Sequence, residues 1–292
     1  MTLRHLRIYV AVCETGTLTA AGKKLYIAQP AISLAISELE GNYGVKFFDR
    51  ISNRLHITDT GQQFLQYAQH IISLYEEMEH NIIDGDALGT LRIGSSISIA
   101  NSILCDLVKC INEKHPKLKV NVIIQNSEII EEKILDNSID IGLIEGSVHS
   151  NYINTIDFMD DTLVFIAPLN HPLANKSQID IWELQNEDFL LRELGSAGRE
   201  IFDGLVDTYS LRINRMWQST STQAIIKGVA NGFGLSMLPY LMVKESVESG
   251  MVSTFYLKDI SLNRKFSVIH HKNKFLSQST KEFIELCKVH KN

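Results

Sequence analysis

Two short hydroxylated stretches stand where backbone can bind an anion. Ser95-Ser96 follows an apolar run at 91–94, and Gly195-Ser196 lies within LRELGSAGR at 191–199. A serine that opens a helix sits beside N–H groups the helix leaves unpaired, so it can help hold a carboxylate, sulfate or phosphate. It can equally cap the helix and hold nothing. Thr220 and Thr222, at the start of a further helical period, and Ser127 and Glu145-Gly146, at strand ends, can line the same space. A different chemistry marks the amino-terminal region. Gln29, Pro30, Ser33, Leu34 and Ser37 share the outward face of one helical period. Glutamine reaches adenine edges, and short hydroxyls reach phosphates or base edges. Arg50 and Arg54 flank a polar turn, where guanidinium groups can clamp phosphates.

Enzymatic signatures are missing from the sequence: it holds no GxSxG elbow, P-loop or HExxH. His270-His271 falls in a strand-like run, which sends one ring to the core and the other to solvent and disfavours a shared metal. The four cysteines, Cys13, Cys105, Cys110 and Cys287, form no CxxC pair. Cys105 and Cys110 read as core thiols of one helix rather than a redox pair. No metal and no cofactor is expected.

The elements that must position these residues follow from periodicity. Leu3, Leu6, Tyr9, Val10 and Cys13 stripe a helix capped by Thr2 and stopped by Gly16. Leu18, Ala21 and Leu25 stripe a second, and a turn at 26–28 leads to a third carrying Ile32, Ile36, Leu39 and Tyr43, ended by Gly44. Two short helices, a tight turn and an amphipathic helix make a helix-turn-helix. Apolar runs at 45–48 and 55–57 around a polar turn at 49–53 predict a hairpin wing. Phe64, Ala68, Ile71, Tyr75, Met78 and Ile82 then keep a heptad spacing from a start at Thr58, predicting a self-pairing helix. Residues 85–89 read as a hinge. Beyond them strands at 91–94, 120–124 and 139–144 alternate with helices striped by Ile103, Leu107 and Ile111 and by Ile130, Ile134 and Leu135. A second set has strands at 163–167, 189–192 and 216–219 and helices near 196–209 and 222–231. A strand at 266–270 and a helix at 280–289 return to the first set. The order indicates two α/β lobes, parallel sheets covered by helices, with a ligand cleft at the strand ends.

The segment AVCETGTLTAAGKKLYIAQPAISLAISELEGNYGVKFFDR, followed by LHITDTGQQF, resembles the amino-terminal domain of LysR-type transcriptional regulators. The match rests on Ala20-Ala21, Leu25, Gln29-Pro30-Ala31, Ser33, Leu39-Glu40, Gly44, Phe47-Phe48, Arg50, Thr58 and Gly61. LRIGSS, HPKLKV, NSIDIGLI, LVFIAPLNHPLA and GVANGFGLSMLP stand where that family has them. Arg192, Glu193, Gly195, Ser196 and Arg199 resemble the R-E-x-G-S-G-T-R signature of a CysL-like subgroup that includes sulfur and carbon-fixation regulators. Ala197 and Gly198 depart from it, and the usual threonine hydroxyl is lost. Ala28 stands where the family usually has serine, and Leu34 where it often has a basic residue.

The resemblance implies a winged helix-turn-helix domain at 1–58, a dimerising linker helix at 59–88 and a two-lobed, periplasmic-binding-protein-like effector domain at 89–292. Lobe I takes in about 91–162 and 268–292, and lobe II about 163–267. It implies binding of double-stranded promoter DNA through Thr17, Thr19, Lys23, Ala28, Gln29, Pro30, Ser33, Leu34, Ser37, Arg50 and Arg54. It also implies a small effector, expected to be anionic, at Ser95, Ser96, Ser127, Glu145, Gly146, Ser196, Arg199, Thr220 and Thr222. A self-assembled dimer, with a tetramer as the family's usual form, completes the expectation. The alternative is a ligand-independent repressor or structural DNA-binding protein with a degenerate cleft.

Composition agrees with a small basic head on an acidic body. The net charge of the 292 residues is −6, divided as +2 over residues 1–60 and −8 over the rest. That excludes coating nucleic acid over the whole surface and permits binding by the head. With 45% hydrophobic and 21% charged residues, the chain is ordinary globular protein. No run reaches the roughly 18 apolar residues of a membrane span, and the opening residues lack a signal's apolar core. A cytoplasmic protein with no membrane partner is expected, which sets a transport-type solute-binding protein aside.

Overall fold

Thr2 and Gly16 bracket the first helix as their chemistry requires. Gly16 and Gly44 end α1 (Leu3–Thr15) and α3 (Gln29–Tyr43) at φ 70° and 67°, the left-handed region that glycine enters without strain. The computed structural model describes residues 1–51, 54–83 and 89–290, with backbone alone at 50, 51, 54, 77 and 80–83. The chain divides into two units, one holding residues 1–89 with the short stretches 135–138 and 273–275, the other holding the rest.

In the first unit, α2 (Leu18–Leu25) lies between α1 and α3, and β1 (Phe48–Ile51) and β2 (Arg54–Ile57) form an antiparallel wing before α4 (Asp59–Ile83). Tyr9, Ile32, Leu39 and Phe47 are buried at its centre. The Tyr9 hydroxyl donates to the Gly61 carbonyl at 2.9 Å, and its ring meets Phe64 edge-on at 4.9 Å. The wing departs from expectation because Asp49, Arg50 and Ile51 pair with β2 rather than turn. Ser52 and Asn53, from the expected turn, and 85–88, from the expected hinge, lie outside the described residues. Tyr43, expected on the buried stripe, is exposed, with its ring edging onto Phe47 and Phe64.

The heptad stripe is also redistributed. Phe64 and Ala68 pack into the head's own core. The apolar side chains α4 leaves exposed are instead Tyr67, Ile71, Leu74, Tyr75 and Met78. Ile82 lies outside the described side chains.

The second unit opens with β3 (Thr90–Ser95), followed by α5 (Ile97–Ile99), a π-helical turn (Ala100–Leu104) and α6 (Cys105–Lys114) as one rod. Next come β4 (Lys119–Ile124), α7 (Ser127–Leu135) and β5 (Ile141–Glu145). β3 is parallel to both β4 and β5, giving the β-α-β-α-β unit expected. β4 is an edge strand, so Val122, Ile123 and Ile124 are exposed.

The strand expected at 163–167 is β6 (Ile153–Ala167), 15 residues long. Its first part pairs with β12 (Asn263–His271) and its last part with β10 (Ser236–Pro239) and β11 (Ser253–Leu257), so one strand belongs to both lobes. β7 (Gln178–Ile179) completes the main sheet, and β8 (Asp188–Arg192) pairs with β9 (Asn214–Ser219). The sheet is mixed, because β12 runs antiparallel to β5 and to β6. α8 (Ala197–Thr208), α9 (Thr222–Ala230) and α10 (Tyr240–Glu248) cover the second lobe, and α11 (Gln278–Val289) packs back on α6.

Two readings of single residues are corrected here. His270 and His271 are both buried, because β12 is an interior strand of the sheet, between β5 and β6. Cys105 and Cys110 are exposed rather than in the core, since Leu107 and Ile111 set the buried face of α6. Cys287 is buried.

Candidate DNA-binding face and effector cleft

In the head, Thr17 caps α2, its Oγ1 accepting the Ala20 N–H at 3.1 Å. A Cβ on Gly22 would stand 2.6 Å from the Ile27 carbonyl oxygen, so glycine lets the turn close onto α2. That turn is made by Tyr26, left-handed at φ 56° and 97% exposed. α3 starts at Ala28, which offers no side-chain cap, and Pro30 fits its first turn. Gln29, Pro30 and Ser37 are exposed, Ser33 is half-buried and Leu34 is 60% exposed. Thr19, Lys23, Tyr26 and Gln29 line one open groove. Tyr26 was missed from sequence, and its only signal was an aromatic residue inside the tight turn. Lys24 is occupied by Glu14 at 2.6 Å. Arg50 and Arg54 stand on adjacent strands of the wing, and their side chains lie outside the described residues.

In the second unit, Ser95 ends β3 and Ser96 caps the rod, accepting the Ile99 N–H at 3.4 Å. Both are buried. The Ser96 N–H is already used by the Leu143 carbonyl at 2.8 Å, and the Ser95 hydroxyl donates to the Ser96 carbonyl. The Ser127 hydroxyl donates to the Glu145 carbonyl at 3.3 Å. Across the cleft, Gly146 (φ 89°) meets the start of α8, and a Cβ there would stand 2.7 Å from that of Ala197. The Glu128 N–H donates to the Gly195 carbonyl at 3.2 Å, and Asn126 Nδ2 to the Leu194 carbonyl at 3.1 Å. The fold therefore brings Ser127, Glu145 and Gly146 against Gly195 and Ser196, with the two lobes in direct contact.

Other expected residues turn elsewhere. Arg199 donates to Asp203 at 2.7 Å, to the Arg192 carbonyl at 3.0 Å and to Gln218 at 3.4 Å, which ties α8 to β8 and β9. Arg192 pairs with Glu193 at 2.9 Å and reaches the Thr222 hydroxyl at 3.4 Å. Thr220 is exposed, and the cap of α9 is Ser221.

Two polar clusters were not read from sequence. Arg264 on β12 pairs with Asp161 at 2.7 Å and Glu145 at 3.4 Å, while Ser98 donates to Glu145 at 3.0 Å. Burial raises the Asp161 carboxyl above its ordinary range, against the opposing pull of Arg264. The second cluster is His149, whose Nδ1 stands 3.2 Å from Glu131 of α7 and whose Nε2 stands 3.1 Å from Glu200 of α8. It lies in a groove of about 460 Å³ with Glu128, Gly195, Arg199 and Asp203. Hydrogen bonds to Glu200 and then Glu131 raise the imidazole pKa, against the opposing effect of burial. Among the described residues no group of three or more His, Cys, Asp or Glu side chains is placed to hold a metal, and no helix is long and apolar enough to cross a membrane.

Comparison with known proteins agrees with this architecture. Residues 3–62 match the model for bacterial regulatory helix-turn-helix proteins of the lysR family, and residues 84–291 match the LysR substrate binding domain. The HTH-type transcriptional regulator CysL of Bacillus subtilis (strain 168) is 34% identical, covering 91% of this chain and 89% of its own length. The regulatory domain of CcmR from Synechocystis PCC6803, solved in complex with 2-PG, superposes with a TM-score of 0.64 at 26% identity, over 68% of this chain and 96% of that one. A full-length OxyR from Pseudomonas aeruginosa shares the fold, with a TM-score of 0.67 at 21% identity over 99% of this chain and 93% of that one. With both matched segments and a relative similar along nearly its whole length, the chain belongs to the LysR family of transcriptional regulators.

Proposed function

We propose that this regulator binds promoter DNA through the exposed face of α3 and the wing, and that a small anionic metabolite between the two α/β lobes modulates that binding. The single observation that carries the DNA reading is the α3 face itself. Gln29, Pro30, Leu34 and Ser37 stand exposed on a helix whose opposite face, Ile32, Ile36 and Leu39, is buried in the head core. Such a helix can enter a major groove without unfolding anything. Thr17, Thr19, Lys23, Ala28 and Ser33 flank it, and Arg50 and Arg54 extend the contact to phosphates. Leu34, at the centre, makes apolar contact with a thymine methyl in this reading.

The functional segments are a head at 1–58, a linker helix at 59–88 and an effector domain at 89–292. The exposed stripe Tyr67, Ile71, Leu74 and Met78, spaced 4, 3 and 4, supports pairing of two linker helices. Pairing sets two heads side by side for a two-fold operator, and two dimers give the tetramer. The assembly works in the cytoplasm.

For the effector, the meeting of Ser127, Glu145 and Gly146 with Gly195 and Ser196 supports a site between the lobes, with Ser95, Ser96, Thr222, Thr220 and Arg199 around it. The likeness to a regulatory domain solved in complex with 2-PG supports a small-molecule ligand for this domain. Ligand binding can shift the spacing of the heads only by favouring one lobe arrangement over another.

A gel shift with DNA upstream of the gene or its divergent neighbour tests the first part, and failure to retard any such duplex refutes it. Thermal-shift screening of organic acids, sulfate, sulfite and phosphate esters tests the second. Stabilisation by cations or neutral aromatics alone refutes the anion.

A further inference from the structure

The floor of the cleft sets two buried carboxyl groups against one buried guanidinium. Glu145 and Asp161 are each 4% exposed, and Arg264 is the cation paired with both. One oxygen of each carboxylate, Glu145 Oε2 and Asp161 Oδ1, is buried with no hydrogen-bond donor. A buried carboxylate oxygen without a donor is costly, so it marks a place where a donor is accommodated. The cluster adjoins the start of the 12-residue α8. A Cβ on Gly198 would stand 3.9 Å from Arg264 Nη1, Ser196 Oγ and Leu163 Cδ2, in ordinary van der Waals contact with each, so position 198 lies directly against the guanidinium and the hydroxyl.

We infer that the effector is an anion carrying its own hydrogen-bond donor, an ammonium or hydroxyl group beside the acid, with Glu145 and Asp161 receiving the donor and Ser196, Arg264 and the first turn of α8 facing the acid. This rests on the interlobe effector reading above. An anion without a donor brings negative charge against two unsatisfied carboxylate oxygens and relieves neither. An amino acid, a hydroxy acid or a phosphate ester of either satisfies both ends of the site. A side chain at 198 would stand against the Arg264 guanidinium and the Ser196 hydroxyl, the groups that face the acid.

The test is calorimetric titration of the full chain with matched probes: acetate, glycolate and glycine, then methyl phosphate and O-phosphoserine. Donor-bearing members should bind at least tenfold more tightly than the donor-free member bearing the same acid group. Glu145→Gln should cost ammonium-bearing probes tenfold or more and hydroxyl-bearing probes less than threefold, since an amide still accepts a hydrogen bond; this separates the two donors. If Glu145→Gln fails to fold, judged by its melting curve, Gly198→Thr serves instead, because its Cβ meets only ordinary contacts. It should weaken every donor-bearing probe tenfold. Equal binding of donor-free anions, with the variants unchanged, overturns the inference and leaves the anionic effector standing. Response only to compounds that carry no acid group, or to no probe, overturns both.

Discussion

Raising the pH through the His149 titration should loosen the two lobes. The imidazole stands between Glu131 and Glu200 at 3.2 and 3.1 Å, one carboxylate from each lobe. A neutral ring has one N–H and can donate to one of them; only imidazolium donates to both. The charged groups around it are Glu128 and Glu131 on α7 and Arg199, Glu200, Asp203 and Asp207 on α8. Its pKa is raised above 6.5, so the stabilisation is fully present below that value and fades as pH rises through the raised one. The Glu131 carboxylate also accepts the His149 and Ser150 N–H groups at 3.0 and 2.7 Å, and those contacts do not titrate with the ring. Because the His149 and Glu200 side chains are 59% and 53% exposed, solvent screening limits each ion pair to about 0.2–1 kcal/mol. Roughly 1 kcal/mol for the pair corresponds to a melting shift of about 2–4 °C in a unit of this size. Differential scanning calorimetry of the wild type and His149→Asn across pH 5.5–9 should show that gap at pH 6 and its disappearance by pH 9. A gap that is independent of pH, or none at pH 6, refutes the clasp.

Four further outcomes follow from the head and linker. DNA affinity should fall with salt at a log–log slope of several units, and Lys23→Ala should lower that slope by about one unit per head; a flat salt response removes the wing from the contact surface. Leu34→Ala should relax selectivity at one thymine by about 1–3 kcal/mol, read from binding to operator variants, and unchanged selectivity disposes of the methyl contact. Leu74→Glu should give a smaller assembly than the wild type in sedimentation velocity while leaving the head's melting intact; an unaltered sedimentation coefficient contradicts linker pairing. Gly22→Ala sets a Cβ 2.6 Å from the Ile27 carbonyl oxygen and should destabilise the head by about 1–3 kcal/mol in urea unfolding, whereas a neutral substitution shows the turn can move.

What local chemistry dictates was legible in the linear chain. Thr2 as a cap, Pro30 in a first turn and Gly16 and Gly44 as left-handed stops are choices made within a few residues, so α1, α2 and α3 follow from spacing alone. The β-α-β-α-β alternation from 90 to 145 was equally legible, because apolar periodicity says which face of each element is buried. Periodicity does not say what lies opposite. Arg264 meets an aspartate 103 positions earlier, and His149 bridges helices that begin at Ser127 and Ala197. Arg199 reads as a ligand contact in the motif, yet in the folded protein it holds α8 to its neighbouring strands. Residues 153–162 gave no strand signal because Asn154, Thr155, Asp157, Asp160 and Asp161 interrupt the apolar Ile153, Ile156, Phe158 and Met159 without a two-residue period. Pairing with β12 imposes the extended form. Charge neutralisation and strand pairing between distant segments depend on which backbones the sheet sets side by side, and only the closed tertiary structure decides that.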